Sequence, residues 1–252
     1  MKATFRVEGL QPEWWSPFTG QVAPAEVEAR PAGGTTIALD LEPYESRVLV
    51  FSKRTLRAPQ SSAPQGRVAT TNQPPLDLST GWRVSFGGGG SPVQIDRLRS
   101  WTDDEATRYF SGQATYEKEV TVPESVIRDG LRVWLDFGEG KAIPVQPLKA
   151  GMQAWLDAPV REAAVVYVND RRAGSVWCSP YAVDVTGLLR PGANRLRIVV
   201  ANLALNYMAG HRLPDYRLLN LRYGERFQAQ DMDKVQPIPA GILGPVRLIA
   251  RP

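Results

Sequence analysis

The chain has one cysteine and one histidine, Cys178 and His211, in 252 residues. A thiolate and imidazole metal cluster is excluded on count, and an internal disulfide cannot form. Any Ser-His-Asp or Cys-His machinery would have to run through His211. Long apolar runs are also missing: no stretch approaches the ~20 apolar residues a membrane helix requires, so no membrane partner is expected. The first thirty residues carry Glu8 and Glu13 and no apolar core segment, so no signal peptide is expected among them. Nor is charge of one sign concentrated. The 30 basic and 26 acidic residues are interspersed and leave a formal charge of +4, whereas a nucleic-acid partner would call for a basic stripe with aromatics at readout spacing.

Turn formers are plentiful, with 22 Gly and 21 Pro set between short β-branched runs. That distribution predicts an all-β protein with few helices. Strands are expected near Thr4–Val7, Val22–Ala29, Thr35–Leu41 and Ser46–Phe51, a set small for an independent sandwich. Residues 53–75 lose hydrophobic periodicity and fill with Pro, Gln, Ser and Thr, which is linker chemistry. The division is therefore 1–52 as a partial β-sheet segment, 53–75 as a linker and 76–252 as a larger domain. Within the larger part, Ala114, Tyr116, Lys118 and Val120 alternate onto one face, as do Leu196, Ile198 and Val200. A short helical turn is expected near Trp101–Ala106. The stretch 139–160 interrupts two strands, and 203–240 reads as a long loop, which in a compact domain is usually functional or packed on a partner.

Catalytic and cofactor signatures are sparse. GGGGS at 87–91 runs into Pro92 and Val93, without the Lys-Ser or Lys-Thr pair and following helix of a phosphate loop. Ser111 in FSGQA precedes a strand and not the helix that follows a nucleophile elbow. His211 and Cys178 read as a loop residue and a small, partly buried side chain. No catalytic residue, metal ligand or cofactor is assigned, although oxygen-ligated calcium at Asp103, Asp104 and Glu105, or at Asp231 and Asp233, stays open. The aromatics say more. A sugar offers apolar C–H faces and a rim of hydroxyls, so its site needs an exposed ring with Arg, Asp or Asn nearby. Trp101, Arg108 and Tyr109, and separately Trp177 and Tyr181, meet that requirement from loops or strand ends. Trp82, Tyr116 and Trp134 lie inside strands and are core candidates.

The succession TRYFSGQATYEKEVTV, LRVWLDFG and VVYVNDRRAGSVWCSPYAVDVTGLLRPGANRLRIVVAN resembles the galactose-binding-like jelly-roll sandwich of family 2 glycoside hydrolases. WWSPFTGQVAPA, LDLEPYESRVLVF, NLRYGERF and PAGILGPVRL are most similar to the C-terminal region of family 106 α-L-rhamnosidase-like proteins. The resemblance implies that residues 1–52 finish a sandwich following a catalytic barrel, that the barrel holds the acid and base, and that the setting is secreted or periplasmic. Two departures stand out: Asp170 occupies a position usually held by Gly, and 139–160 is inserted. Within the motifs, Asn169-Asp170, Gly192 and Asn194 are suited to positive φ, and Asp184 and Thr186 to capping a turn. The expected function is a non-catalytic carbohydrate-binding or ancillary module. The alternatives are a structural module packed on a catalytic domain of the same polypeptide or on a second copy, and, less favoured, a self-standing hydrolase.

Overall fold

The computed structural model describes residues 1–17, 20–39, 41, 45–54, 74–128, 130–143, 156–211, 216–224 and 235–251. The fold is an all-β sandwich. Its larger sheet has six antiparallel strands in the order Arg171–Val176, Ala163–Val168, Gly192–Ala201, Gln113–Val122, Thr80–Phe86, Val93–Arg97. The facing sheet has four, ordered Ala182–Asp184, Arg132–Asp136, Arg247–Arg251, Leu76–Asp77. Alternation along each strand supplies the core. Ala114, Tyr116 and Val120 point inward from one long strand and Leu196, Ile198 and Val200 from its neighbour, where they meet Val133, Leu135 and Leu248 of the other sheet. Each fully buried aliphatic side chain of this kind contributes about 1.5–3 kcal/mol, so the register that points them inward is strongly specified. Lys118 keeps its place in that alternation by laying its ammonium 5.9 Å from the Trp82 ring. Trp134 departs from expectation: Val133 and Leu135 take the inward positions, so its ring faces outward, half-buried with the Arg132 guanidinium 5.2 Å away.

The turns of the stretch from Val165 to Asn202 are built by polar side chains. Asn169 and Asp170 adopt φ of 49° and 64°, which a two-residue hairpin requires. The Asn169 amide donates to the Leu188 carbonyl and to Asn194 Oδ1 at 3.0 and 2.9 Å. Asn194 is not a positive-φ residue, contrary to expectation. It lies buried in its strand, donates to the carbonyls of Arg190 and Gly192 and accepts from the Arg190 N–H. Its four partners replace the water it lost on burial. Thr186 N–H donates to Asp184, and the Thr186 hydroxyl accepts from the Val133 N–H, which caps the turn as its sequence implies.

Residues 2–52 form two three-stranded sheets, Lys2–Phe5, Thr35–Ala38, Val27–Ala29 and Val22–Pro24, Gln11–Trp15, Val48–Ser52. The strand Gln11–Trp15 is central to its sheet although its Pro12 obscured it in the sequence, and the expected strand Val22–Ala29 divides in two around Ala25, whose N–H turns to the Pro12 carbonyl. Among the described residues the buried apolar side chains here are few: Pro12, Ala23, Ala25 and Ile37. Glu13 is buried as well, and the Ser52 hydroxyl, the Trp15 indole and Arg54 together hold its carboxyl below the usual carboxylate range. The loop 203–240 contains helices Leu205–Gly210 and Arg217–Tyr223. No helix among the described residues is long and apolar enough to cross a membrane.

Two outcomes test this packing. Gly241 has φ of +101°, and a methyl group there would strike the Trp101 indole and the Tyr116 hydroxyl. Gly241→Ala should therefore lower urea stability by about 2–4 kcal/mol, whereas Gly187→Ala, at φ +72° in open space, should cost only about 1 kcal/mol. For Glu13, a folded-state pKa below the ordinary 4.5 means that its stabilising contribution is complete above that pH and is lost as pH falls through the lowered value. Acid titration followed by tryptophan fluorescence should show a transition below the ordinary carboxylate range that is absent in Glu13→Gln.

Candidate functional site

The strand register brings the predicted site residues to one end of the sandwich. Gln113 pairs with Ala201, Ala201 with Ala163, and Val176 with Ala164, while Phe86 pairs with Ala114. The segments 87–92, 101–112, 161–162, 177–181 and 202–211 therefore all leave the larger sheet on the same side. With strands ~4.8 Å apart, the strand bearing Trp177 and the strand after Tyr109 are separated by about 14 Å.

Near the centre of this rim the aromatics divide into two tiers. Trp101 is in the lower tier and buried: its Nε1 donates to the Tyr116 hydroxyl at 2.6 Å, and its ring packs edge-on against Phe86 and Phe110 with centroids 5.4 and 5.6 Å away. The Trp101 N–H donates to the Ala240 carbonyl while the Ala240 N–H donates to Ser100 Oγ, so the chain near 240 closes over the indole. Arg108 and Tyr109 form the upper tier and are exposed. Thr107 Oγ1 donates to the Trp101 carbonyl at 2.7 Å, tying the two tiers together. Gly210 lies directly against the Tyr109 ring, where any side chain would collide.

Two further rings reach this surface. Tyr207 stacks on His211 with centroids 3.6 Å apart and planes 19° from parallel. His211 Nδ1 is 2.6 Å from the Tyr207 carbonyl. A carbonyl can only accept, so Nδ1 carries a proton, and in the neutral tautomer Nε2 is then the acceptor. Tyr207 lies on the helix Leu205–Gly210 and His211 just beyond its end, a contact hidden in the sequence because 203–240 reads as loop. Polar side chains hold the helix Leu205–Gly210 in place. Ser111 Oγ donates to the Leu203 carbonyl and accepts from the Tyr207 N–H, both at 2.8 Å. Asn202 donates to the Phe110 carbonyl and accepts from the Gly112 N–H, and buried Asn206 makes a reciprocal pair with the backbone of Ile238 at 2.9 Å. Ser111 is thus a staple between loops: its proton is given to a backbone carbonyl.

At the other side of the rim Trp177 is 57% exposed and Tyr181 is buried. The Tyr181 ring packs beside Gly140 and Leu156, and burial, with a smaller contribution from Cys178, raises its phenol above the ordinary range. Cys178 sits between them half-buried; burial first, and then the carboxylate of Glu45, push its thiol up. Of the five predicted residues, Arg108, Tyr109 and Trp177 face solvent, whereas Trp101 and Tyr181 are packed inside. The acids read as optional calcium ligands serve the turn, Asp103 accepting from the Ser100 N–H and Asp104 pairing with Arg99 at 3.2 Å. Among the described residues no three His, Cys, Asp or Glu side chains converge on a metal position, and Asp231 and Asp233 lie outside them.

No family model matches the chain. A protein of Formosa agariphila named "Putative beta-glucuronidase" is 28% identical over 199 residues, which is 69% of this chain and 15% of that protein. The solved rhamnosidase of Novosphingobium sp. PP1Y superposes with a TM-score of 0.67 at 28% identity, over 99% of this chain and 21% of that one. The chain is similar to glycoside hydrolases in sequence and in fold. It spans about a fifth or less of the length of these relatives.

The raised thiol of Cys178 predicts low reactivity. At neutral pH a thiol-specific reagent should label the folded protein more slowly than the urea-unfolded one, and the rate should climb only as pH passes the raised value, because the thiolate is the nucleophile.

Proposed function

We propose that this chain is a non-catalytic carbohydrate-binding sandwich of the galactose-binding-like, jelly-roll type, belonging to an α-L-rhamnosidase-like glycoside hydrolase of family 106. The observation that carries this reading is the exposed tier of Arg108, Tyr109, Tyr207 and His211 on one rim, with the segments that bear it stapled together by Ser111, Asn202 and Asn206. Stacking on a pyranose face uses rigid rings at low entropic cost. Arg108 supplies donors to hydroxyls and His211 Nε2 an acceptor, while Trp177 offers a second stacking surface farther along the rim. In this reading residues 1–52 and 76–252 are separate units joined by a linker at 53–75. In the same reading the acid and base of hydrolysis are supplied by a catalytic domain outside residues 1–252, and the setting is secreted or periplasmic.

Calorimetric or NMR titration with rhamnose-, galactose- and glucuronate-containing oligosaccharides tests the reading. Binding is expected near millimolar Kd, about −4 kcal/mol. A Tyr109→Ala, Tyr207→Ala double variant should lose it by tenfold or more, about 1.4 kcal/mol. A folded protein that binds none of these sugars would sink the idea.

A second reading is favoured by one observation. On helix Arg217–Tyr223, Leu218 and Leu221 are 80% and 84% exposed, beside exposed Leu219 and Tyr223. Exposed leucines on one short helix mark an interaction surface. The occupant in this reading is the catalytic domain of the same polypeptide, since four-fifths of the solved rhamnosidase lies outside the match. Leu218→Ser with Leu221→Ser should leave this chain's stability within about 0.5 kcal/mol and weaken its association with the remainder of such an enzyme. A dimer dissociated by the same changes would assign the surface to a second copy.

A further inference from the structure

Glu13 is the one charged residue with no exposed surface among the described residues, and its surroundings are unusual. It lies in a three-stranded sheet with little apolar burial, where desolvating a carboxylate is expensive unless donors surround it. Three donors do. The Ser52 hydroxyl donates to Oε1. A single oxygen, Oε2, accepts both the Trp15 indole N–H at 3.0 Å and Arg54 Nη2 at 2.9 Å. The indole and the guanidinium are therefore fixed to one atom, and they lie 5.7 Å apart, centroid to guanidinium carbon. Neither belongs to the core: Trp15 is 40% exposed and the Arg54 side chain 59%. Val48, directly across the sheet from Trp15, is exposed as well. This buried carboxylate thus serves to orient two solvent-facing groups, one of them an indole.

We propose that Trp15 and Arg54, positioned by Glu13, form a second carbohydrate site, separate from the rim and selective for a neutral pyranose unit. The indole offers a stacking face of fixed orientation. Arg54 commits one of its five N–H donors to Glu13 and can direct others to ring hydroxyls. Selectivity follows from charge: the carboxylate of Glu13 neutralises Arg54, so an acidic sugar gains little Coulombic attraction and its carboxylate lies close to that of Glu13. The site rests on the carbohydrate reading proposed above and adds a position and a sugar class to it. Two weak sites on one chain would raise avidity for a polysaccharide without any tight contact.

The test is NMR of the tryptophan indole N–H signals in the full chain, titrated with methyl galactoside, methyl glucoside and methyl rhamnoside against glucuronic acid. The Trp15 signal, shifted downfield by its bond to Glu13, should move with at least one neutral glycoside, equally at low and high salt, and should move unchanged in the Tyr109→Ala, Tyr207→Ala variant. Trp15→Ala should abolish binding at this site while the indole signals of the other tryptophans keep their folded positions. Arg54→Ala should weaken it about tenfold. Trp15→Phe keeps a ring but not the bond to Glu13 and should bind with intermediate strength. Glu13→Gln should move the Trp15 signal before any sugar is added and weaken binding with it, a response that mere loss of stability would not produce. A Trp15 signal that no sugar moves overturns the proposal, and so does one moved by glucuronic acid alone in a salt-dependent way. Failure at the rim with a response at Trp15 counts against the rim site only.

Discussion

The structure hangs on one pairing. Gln113–Val122 and Gly192–Ala201 run antiparallel through ten consecutive residue pairs, from Gln113 opposite Ala201 to Val122 opposite Gly192. Because side chains alternate with a period of two, a slip by one residue would turn Tyr116, Leu196 and Ile198 to solvent and bring Glu117, Arg195 and Arg197 inside. No interior could absorb that exchange, so the pairing has a single register. With it set, the strand ends are set too, and the loops that follow Ala201 and precede Gln113 must emerge side by side. The rim exists because the core permits only one alignment.

What the rim displays is decided by a second kind of interaction, side-chain hydrogen bonds to backbone. Ser111, Asn202 and Asn206 each satisfy main-chain groups of a neighbouring loop, and Asn169 and Asn194 do the same at the opposite end of the hairpin. A loop without repetitive structure leaves N–H and C=O groups unpaired, and burying them unpaired costs more than any of these contacts returns. Supplying the partner from a side chain gives each loop one geometry. Tyr109 over Gly210 and Tyr207 over His211 are consequences of that geometry, which makes them surface rings of fixed orientation.

The residues 2–52 follow a different logic. With little apolar area to bury, their sheets rely on a polar centre, Glu13, whose bonds to Ser52, Trp15 and Arg54 span the strands Gln11–Trp15 and Val48–Ser52 and the residues just beyond. A carboxylate accepting three hydrogen bonds imposes directions that an aliphatic cluster would not. In the sandwich, specificity comes from register and close packing; here it comes from a buried carboxylate and its donors.

Strand alternation makes the sandwich legible in the sequence. Ala114, Tyr116 and Val120, and Leu196, Ile198 and Val200, are buried as their spacing implied, and the turn at Asn169-Asp170 has the backbone its residue types favour. Local chemistry determined these, since period and turn preference are properties of neighbouring residues. The fate of a loop aromatic is not. Trp101 and Tyr109 stand eight positions apart in one loop, and Trp177 and Tyr181 four apart in another, yet one of each pair is buried and one exposed. The difference is made by remote groups: Ala240 and Gly241 closing over Trp101, Gly140 and Leu156 packing on Tyr181. The strand Gln11–Trp15 and the burial of Glu13 were hidden for the same reason, because a proline and a carboxylate are tolerated there only through partners on other strands. Sequence alone determined which faces had to be inside; only the tertiary structure, by bringing distant segments together, decided which rings were left to meet a ligand.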